Sequence, residues 1–399
     1  MTGEAREMNK RSLWSKNFIY INLCVIFASF TNFAYIYVLP VHMLRIGGSN
    51  TDVGLMGAAL TIVGLLTRLA LAPQIDRWGR KPMLLLGEFL FALTALGYLL
   101  LRDLVWGVLL MRCCSGFAQG ILFPVPPTIV SDIAPKDKLV DALGYFGIAS
   151  SLPAMFSSPL GLYLYESVSP AAFFVATLSM AVVSIAFAFL YRDEYAPQPD
   201  QKASGKRRFA LGNVLELSVL LPCMVCLLAL LGFSVVNNFA IPFGESRAIA
   251  GMSWFFTVHN IAIICTRLLA NRLKKAFSST AIIAFGLAVI GAGTAMMAFA
   301  GSTWSMMAVS AIMAVGGTLY SQYLQADILL MTPNHRRGVA NSTMMLFQDV
   351  GGGVGAALFG VTSEYLNYGF SFVTAGIVTL AAIPLAIFSG KRLRKEAVR

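Results

Sequence analysis

Apolar residues run along this chain in twelve long blocks separated by short polar breaks. The blocks lie near residues 18–39, 51–73, 83–101, 104–128, 142–165, 171–191, 214–241, 248–269, 279–300, 305–330, 340–364 and 369–388. An α-helix needs about 20 residues to cross the hydrocarbon of a bilayer, and each block is close to or above that length. Helices are the natural solution, because lipid cannot satisfy a free backbone N–H or C=O. The first block is too long for the core of a signal peptide, and no small-residue cleavage site ends it.

Composition supports the pattern. Hydrophobic residues make up 57% of the 399 positions and charged residues only 12%, about half the charged share of a soluble domain. Twelve spans leave about 33 residues for each span and its loop, so no large soluble domain fits beside them. The six cysteines, Cys24, Cys113, Cys114, Cys223, Cys226 and Cys265, all fall in apolar blocks and read as small buried hydrophobes. Cys223 and Cys226 form a CxxC with no second pair, so no metal site and no cofactor is expected.

The net charge of +11 matters through its placement. The outer loops hold only Arg45, Arg102 and Arg247, while Arg68, Arg112 and Arg267 lie inside blocks. Every other lysine and arginine falls at the N-terminus, in alternate loops or in the tail after Ser389. This positive-inside bias predicts a multi-pass protein of the cell (inner) membrane with both termini cytoplasmic. It also explains the basic excess without nucleic acid. The longest polar stretch, 192–213, carries Pro197, Pro199, Gly205 and a basic cluster, and reads as a cytoplasmic linker. It divides the chain into an N-terminal six-helix bundle (1–191) and a C-terminal one (214–399) with a basic cytoplasmic tail. Short echoes relate the halves: Asn32-Phe33-Ala34 and Asn238-Phe239-Ala240, Thr67-Arg68-Leu69 and Thr266-Arg267-Leu268, Asp132-Ile133 and Asp327-Ile328. Duplicated halves suit a carrier whose central site opens to either side by rocking.

After the second block lies Asp76-Arg77-Trp78-Gly79-Arg80-Lys81. It resembles the cytoplasmic signature of the major facilitator superfamily, Gly-x-Leu-Ala-Asp-Arg-x-Gly-Arg-Lys, with Ala72, Gln74 and Ile75 departing at its start. The resemblance extends to span count, linker position and orientation. It implies an all-α membrane protein of twelve transmembrane helices in two pseudo-symmetric six-helix bundles. It further implies that Asp76, Arg77, Gly79, Arg80 and Lys81 form a conformational latch, with Asp76 meeting the start of span 11 after Gly338. The competing account is a plain topological anchor, with Gly79 supplying a permissive turn. Span 4 carries Arg112-Cys113-Cys114-Ser115-Gly116, similar to a family signature whose arginine is implicated in proton transfer. The span-5 antiporter signature is only partly present, as Gly144, Gly147 and Ser158-Pro159-Leu160-Gly161.

A charge at bilayer depth is a functional candidate by default. Asp349 heads the proton-coupling candidates, because a carboxyl group there can take up and release a proton as its surroundings change. Arg112, His259 and Glu88 follow. The competing structural accounts are an Asp349 ion pair, a Glu88–Arg68 pair, an Arg267–Glu216 pair and a neutral His259 hydrogen-bonded to Asn260 or another span. Gly352, Gly353, Ala356 and Gly360 read as a small-residue face for close helix approach. The spacing of Gly351, Gly353 and Ala356 mimics a dinucleotide motif but lies in an apolar block with no βαβ unit. Asn32, Tyr35, Gln119, Asn237, Asn238, Trp254, Tyr320 and Gln322 are the candidates for lining a substrate cavity.

The sequence therefore predicts a secondary transporter, not an enzyme, since no nucleophile–base set or phosphate loop is present. Its expected partners are a lipid bilayer, protons and a small organic substrate, and a monomer is the expected state. The favoured activity is proton-coupled export of a drug-like molecule or a metabolite such as a metal chelator. The alternatives are a metabolite importer or facilitator of the same fold, and a transport-inactive membrane sensor.

Overall fold

Each apolar block is helical in the computed structural model, which describes residues 13–135, 138–193, 215–273, 277–333 and 336–397. The helices are α1 (Lys16–Arg45), α2 (Asn50–Trp78), α3 (Arg80–Leu101) and α4, built of Val105–Leu122 and Val125–Ile133. Then come α5 (Leu139–Tyr163), α6 (Pro170–Leu190), α7 (Leu220–Ser246) and α8 (Phe255–Leu273). The last four are α9 (Ser279–Met297), α10 (Thr303–Leu330), α11 (Arg337–Tyr365) and α12, built of Tyr368–Leu380 and Ala382–Ala397. Local chemistry fixes several starts. Ser169, Ser278 and Asn367 cap α6, α9 and α12 by accepting from the N–H groups of Ala172, Ala281 and Phe370. Ser302 and Ser305 form a reciprocal capping box at α10. Pro170 follows its cap directly, where its missing N–H costs nothing.

Among the described residues, ten of these helices are long and apolar enough to cross a membrane. The other two long helices, α5 and α8, fall short of that measure. Glycines, serines and two prolines dilute α5; His259, Asn260, Thr266 and Arg267 dilute α8. The helices also overrun the apolar blocks, as α1 does by reaching Arg45. In contrast, α8 begins at Phe255 and not near 248. The chain turns between Ser246 and Gly251, with Ala248 and Gly251 at positive φ, and a short 3-10 turn, Met252–Trp254, leads into the helix.

The helices pack as two units. The first comprises the described residues of 1–39 and 63–205. Its core joins Phe18, Ile21 and Cys24 of α1 to Met83 and Leu84 of α3, Ile121, Val125 and Ile129 of α4 and Ala188 of α6. Gly87 of α3 faces Ile121 and Leu122 of α4, and Gly120 faces Thr67 of α2, so backbones approach where side chains are absent. The second unit comprises the described residues of 40–62 and 206–399. Here Gly286 of α9 meets Gly316 and Tyr320 of α10, and Gly351 and Gly355 of α11 meet Leu227, Leu231 and Ser234 of α7. The start of α2 belongs to this unit: Gly54 meets Ala356 and Gly360. Asn50 donates its backbone N–H to Glu364 at 2.7 Å and accepts from the Tyr368 hydroxyl at 2.5 Å. The expected small-residue face thus divides. Gly353, Ala356 and Gly360 meet α2, Gly351 and Gly355 meet α7, and a Cβ at Gly352 would meet nothing within 4 Å.

The units repeat one contact. In the first, Asp132 near the end of α4 receives Arg80, the first residue of α3, at 2.9 Å. In the second, Asp327 near the end of α10 receives the hydroxyl of Ser279, the first residue of α9, at 2.8 Å to each carboxylate oxygen. The Asp-Ile echo in the sequence marks the same joint in both halves.

Candidate functional site

Two buried polar clusters occupy the first unit. The helical repeat places Glu88 about 100° around α3 from Gly87, so its carboxyl group turns away from α4 toward α1 and α6. It is 1% exposed. Ser184 of α6 sets its hydroxyl oxygen 2.8 Å from Oε2, and the Cys24 thiol of α1 lies 3.2 Å from Oε1. Ser184 Oγ also lies 2.9 Å from the Cys24 carbonyl oxygen. When Glu88 is ionised, the hydroxyl donates to the carboxylate. When Glu88 holds a proton, it donates to Ser184 Oγ, and the Ser184 hydrogen turns to the Cys24 carbonyl. Both protonation states are fully partnered. The expected Glu88–Arg68 pair is replaced by this cluster. Arg68 instead sets its guanidinium carbon 4.6 Å from the centre of the Phe123 ring.

The second cluster surrounds Arg112. Its side chain on α4 is 3% exposed and lies beside Tyr98 of α3. Ser115, one turn along α4, donates to the Tyr98 hydroxyl at 3.3 Å. The Tyr98 ring packs 4.7 Å from that of Tyr35 on α1, and Tyr35 donates to Thr177 of α6 at 2.9 Å. Nε and Nη1 of Arg112 are buried without a hydrogen-bond partner among the described residues. A buried guanidinium left short of acceptors is costly. One turn beyond Ser115, Gln119 donates to Asn32 of α1, and both are half-buried.

In the second unit the sequence candidates lie further apart. Asp349 is half-buried on α11, one turn before Gly353. Its neighbour Gln348 lies beside Cys226 of α7. Asn238 bonds its own helix at Ser234 and packs its amide oxygen against Gly57, with Asn237 half-buried beside it. Tyr320 is buried against α9, and Gln322 is half-buried. Trp254 is 56% exposed at the entry to α8. His259 is 8% exposed, sets Nδ1 3.1 Å from the Ser310 carbonyl oxygen of α10 and stacks on Phe233. A carbonyl only accepts, so Nδ1 carries a hydrogen. Asn260 bonds Phe256 of its own helix and not His259. Glu216 pairs with Arg336 at 2.7 Å, in place of the expected Arg267.

Of the latch residues, Gly79 turns the chain with φ 92° and ψ 163°, a conformation open to glycine alone. Arg80 takes Asp132, and Lys81 donates its backbone N–H to Asp193 at 3.1 Å and its Nζ to the Phe189 carbonyl at 3.0 Å. The side chains of Asp76, Arg77 and Gly338, and the linker from residue 194, lie outside the described residues.

Tyr98, Thr177 and Ser184, which the sequence does not mark, complete the buried clusters together with Cys24, which reads in the sequence as a small buried hydrophobe. Their signal is faint: a single hydroxyl or thiol in a strongly apolar helix.

The profile of the Major Facilitator Superfamily matches residues 21–249 and 223–399. The chain belongs to that superfamily. Among similar facilitator proteins, the Quinolone resistance protein NorA of Staphylococcus aureus is 22% identical over 382 residues, covering 90% of this chain and 94% of that protein. Multidrug resistance protein 1 of Bacillus subtilis is 21% identical, covering 88% of this chain and 90% of that protein. Among solved facilitator structures, the POT family transporter PepTSo superposes with a TM-score of 0.79 at 13% identity, over 96% of this chain and 99% of that one. The nucleoside transporter NupG gives 0.76 at 11% identity, over 94% and 99%. This facilitator is accordingly an all-α, multi-pass membrane transporter and not an enzyme.

Proposed function

We propose that this transporter exports a small organic compound in exchange for protons, by alternating access across the cell membrane. The observation that carries the reading is the full-length likeness to two proteins named for quinolone and multidrug resistance. Those names describe resistance, and export is a direct way for a membrane transporter to confer it. Proton coupling is supported by the placement of charge. Glu88 has partners in both protonation states, Arg112 is buried with two nitrogens that have no partner among the described residues, and Asp349 sits within a long apolar helix. We assign proton exchange to Asp349 first and Glu88 second, with Arg112 holding a negative group. Asn32 and Gln119 in the first unit and Asn237, Asn238, Tyr320 and Gln322 in the second are the assigned substrate contacts. The protein works as a monomer, crosses the bilayer twelve times with α5 and α8 included, and keeps both termini in the cytoplasm.

Everted membrane vesicles test the reading. Respiration acidifies their lumen, so a proton-coupled exporter accumulates a fluorescent cationic or amphipathic probe inside, and a protonophore abolishes the accumulation. Asp349→Asn is expected to bind the probe and lose its gradient-driven movement. Accumulation unchanged by the protonophore defeats the coupling. Movement only down a proton gradient in the same direction as the probe favours the importer. For topology, Arg102→Cys and Gly205→Cys should be labelled from opposite sides of the membrane.

A further inference from the structure

A basic cavity in the first unit takes no part in the transport reading. It has a volume of about 550 Å³ and lies where the starts of α1 and α3 meet the end of α6. Three cations line it from three separate elements: Lys16 at the first position of α1, Lys81 at the second position of α3 and Arg192 just after α6. Among the described residues that line it, none is acidic. Asp193, beside Arg192, is engaged by the Lys81 N–H and the Tyr191 hydroxyl. Among the described residues, Lys81 Nζ bonds a neutral carbonyl. Two helix N-termini add their partial positive charge to the same space.

The cavity is built, not incidental. Asn17 of α1 donates to the Arg192 carbonyl at 2.9 Å, and Arg192 returns its N–H to Asn17 Oδ1 at 3.1 Å. This two-way clamp fixes the end of α6 to α1. Tyr20 lines the wall as an amphipathic ring of the type that settles at headgroup depth. Phe189 and Leu190, which also line it, are 61% and 52% exposed. A charged space opening beside exposed apolar side chains at helix ends matches a lipid: phosphate in the cavity, acyl chains along the rim. A volume of this size far exceeds what a bare phosphate needs.

We propose that this cavity binds the phosphodiester head group of an anionic phospholipid. The three cations reject the positive end of a zwitterionic head group, so phosphatidylglycerol is preferred over phosphatidylcholine. Bound there, the lipid ties the ends of α1, α3 and α6 together, next to Gly79 and Arg80.

Native mass spectrometry of the full chain, stripped of lipid in detergent, tests this with phosphatidylglycerol, phosphatidylcholine and inorganic phosphate as probes. Each surface cation contributes enough for about a fivefold effect. Lys16→Gln with Arg192→Gln should therefore weaken phosphatidylglycerol binding about 25-fold and leave phosphatidylcholine unchanged. Lys16→Gln alone should weaken it about fivefold, which keeps the test open if the double variant does not fold. Melting in the absence of lipid shows whether the fold is intact. Equal binding of the two lipids by the unaltered protein overturns the proposal, as does a preference that survives both substitutions. Displacement of phosphatidylglycerol by millimolar inorganic phosphate, with no dependence on acyl chains, overturns it in favour of a free-anion site.

Discussion

Two glycines three residues apart on α11 should respond to the same substitution with opposite signs. A Cβ at Gly355 would overlap the Ser234 hydroxyl and the Leu231 carbonyl oxygen of α7 and stand 2.9 Å from Leu231 Cα. Ordinary carbon–carbon contact begins near 3.5–4 Å, so α7 and α11 must part by about 1 Å. Ser234 can turn its hydroxyl, but the Leu231 backbone is held by its own helix and cannot. Gly351 seals the same seam against Leu227, so parting the helices also loosens a contact one turn away. Overpacking of this kind costs about 1–3 kcal/mol. Alanine recovers about 0.5–1 kcal/mol of helix propensity, which offsets only part of that. Gly355→Ala should therefore lower stability by about 1–2 kcal/mol. At Gly352 a Cβ meets nothing within 4 Å, so the propensity gain stands alone, and Gly352→Ala should match or exceed the parent protein. The assay is thermal melting in one detergent, followed by fluorescence-detected size exclusion, with both variants beside the parent. Equal shifts for the two variants, or a larger loss at Gly352, would refute the packing argument.

Other outcomes follow from the same structure. Gly79→Ala forces a side chain into a glycine-only conformation and should cost about 1–3 kcal/mol, read as a lower melting midpoint. Asp132→Asn weakens a contact to an Arg80 side chain that is 9% exposed, and about 1.5–3 kcal/mol is expected for a charged hydrogen bond. Glu245→Gln removes a pair with Arg45 in which the two side chains are 42% and 33% exposed, so no more than about 1 kcal/mol should be lost, and less at high salt. His259→Phe keeps the stack on Phe233 and loses one hydrogen bond, so melting should fall by about 1 kcal/mol while protonophore-sensitive accumulation persists. Loss of that accumulation alone would return His259 to the coupling machinery. A membrane-permeant maleimide should modify Cys265, which is exposed, well before the buried Cys24, Cys223 and Cys226.

The helices were legible because a bilayer demands long apolar runs; the caps Ser169, Ser278, Ser302 and Asn367 stand just ahead of those runs, but one small polar residue at a block edge does not single itself out from the other loop residues. Ends and partners were harder to read. Hydropathy sees no difference between helix and turn, so the polar turn that precedes Phe255 vanished into an apolar block. Depth along a span is also a poor guide to partnership. Glu88 and Arg68 match in depth, but the direction of a side chain around its helix decides contact, and Glu88 points to Ser184 and Cys24. The same angular question separates Gly351 and Gly355, which pack, from Gly352, which does not. Trp254 is a cavity candidate because it is an aromatic near polar span residues, and the turn at Gly251 places it, exposed, at the entry to α8. The Arg112–Tyr98–Tyr35–Thr177 cluster draws on four helices, and one-dimensional spacing carries no trace of which helices adjoin.

The hydroxyl of Ser184 has a consequence for how this protein could tolerate acid. A rotating O–H is a swivel: it serves the carboxylate on one setting and the Cys24 carbonyl on the other. Gain or loss of one hydrogen at Glu88 then asks for a torsion of a single bond and for no rearrangement of α1, α3 or α6. The scaffold around the acid can stay still while its charge comes and goes, and alanine at 184 would take that freedom away without enlarging the side chain.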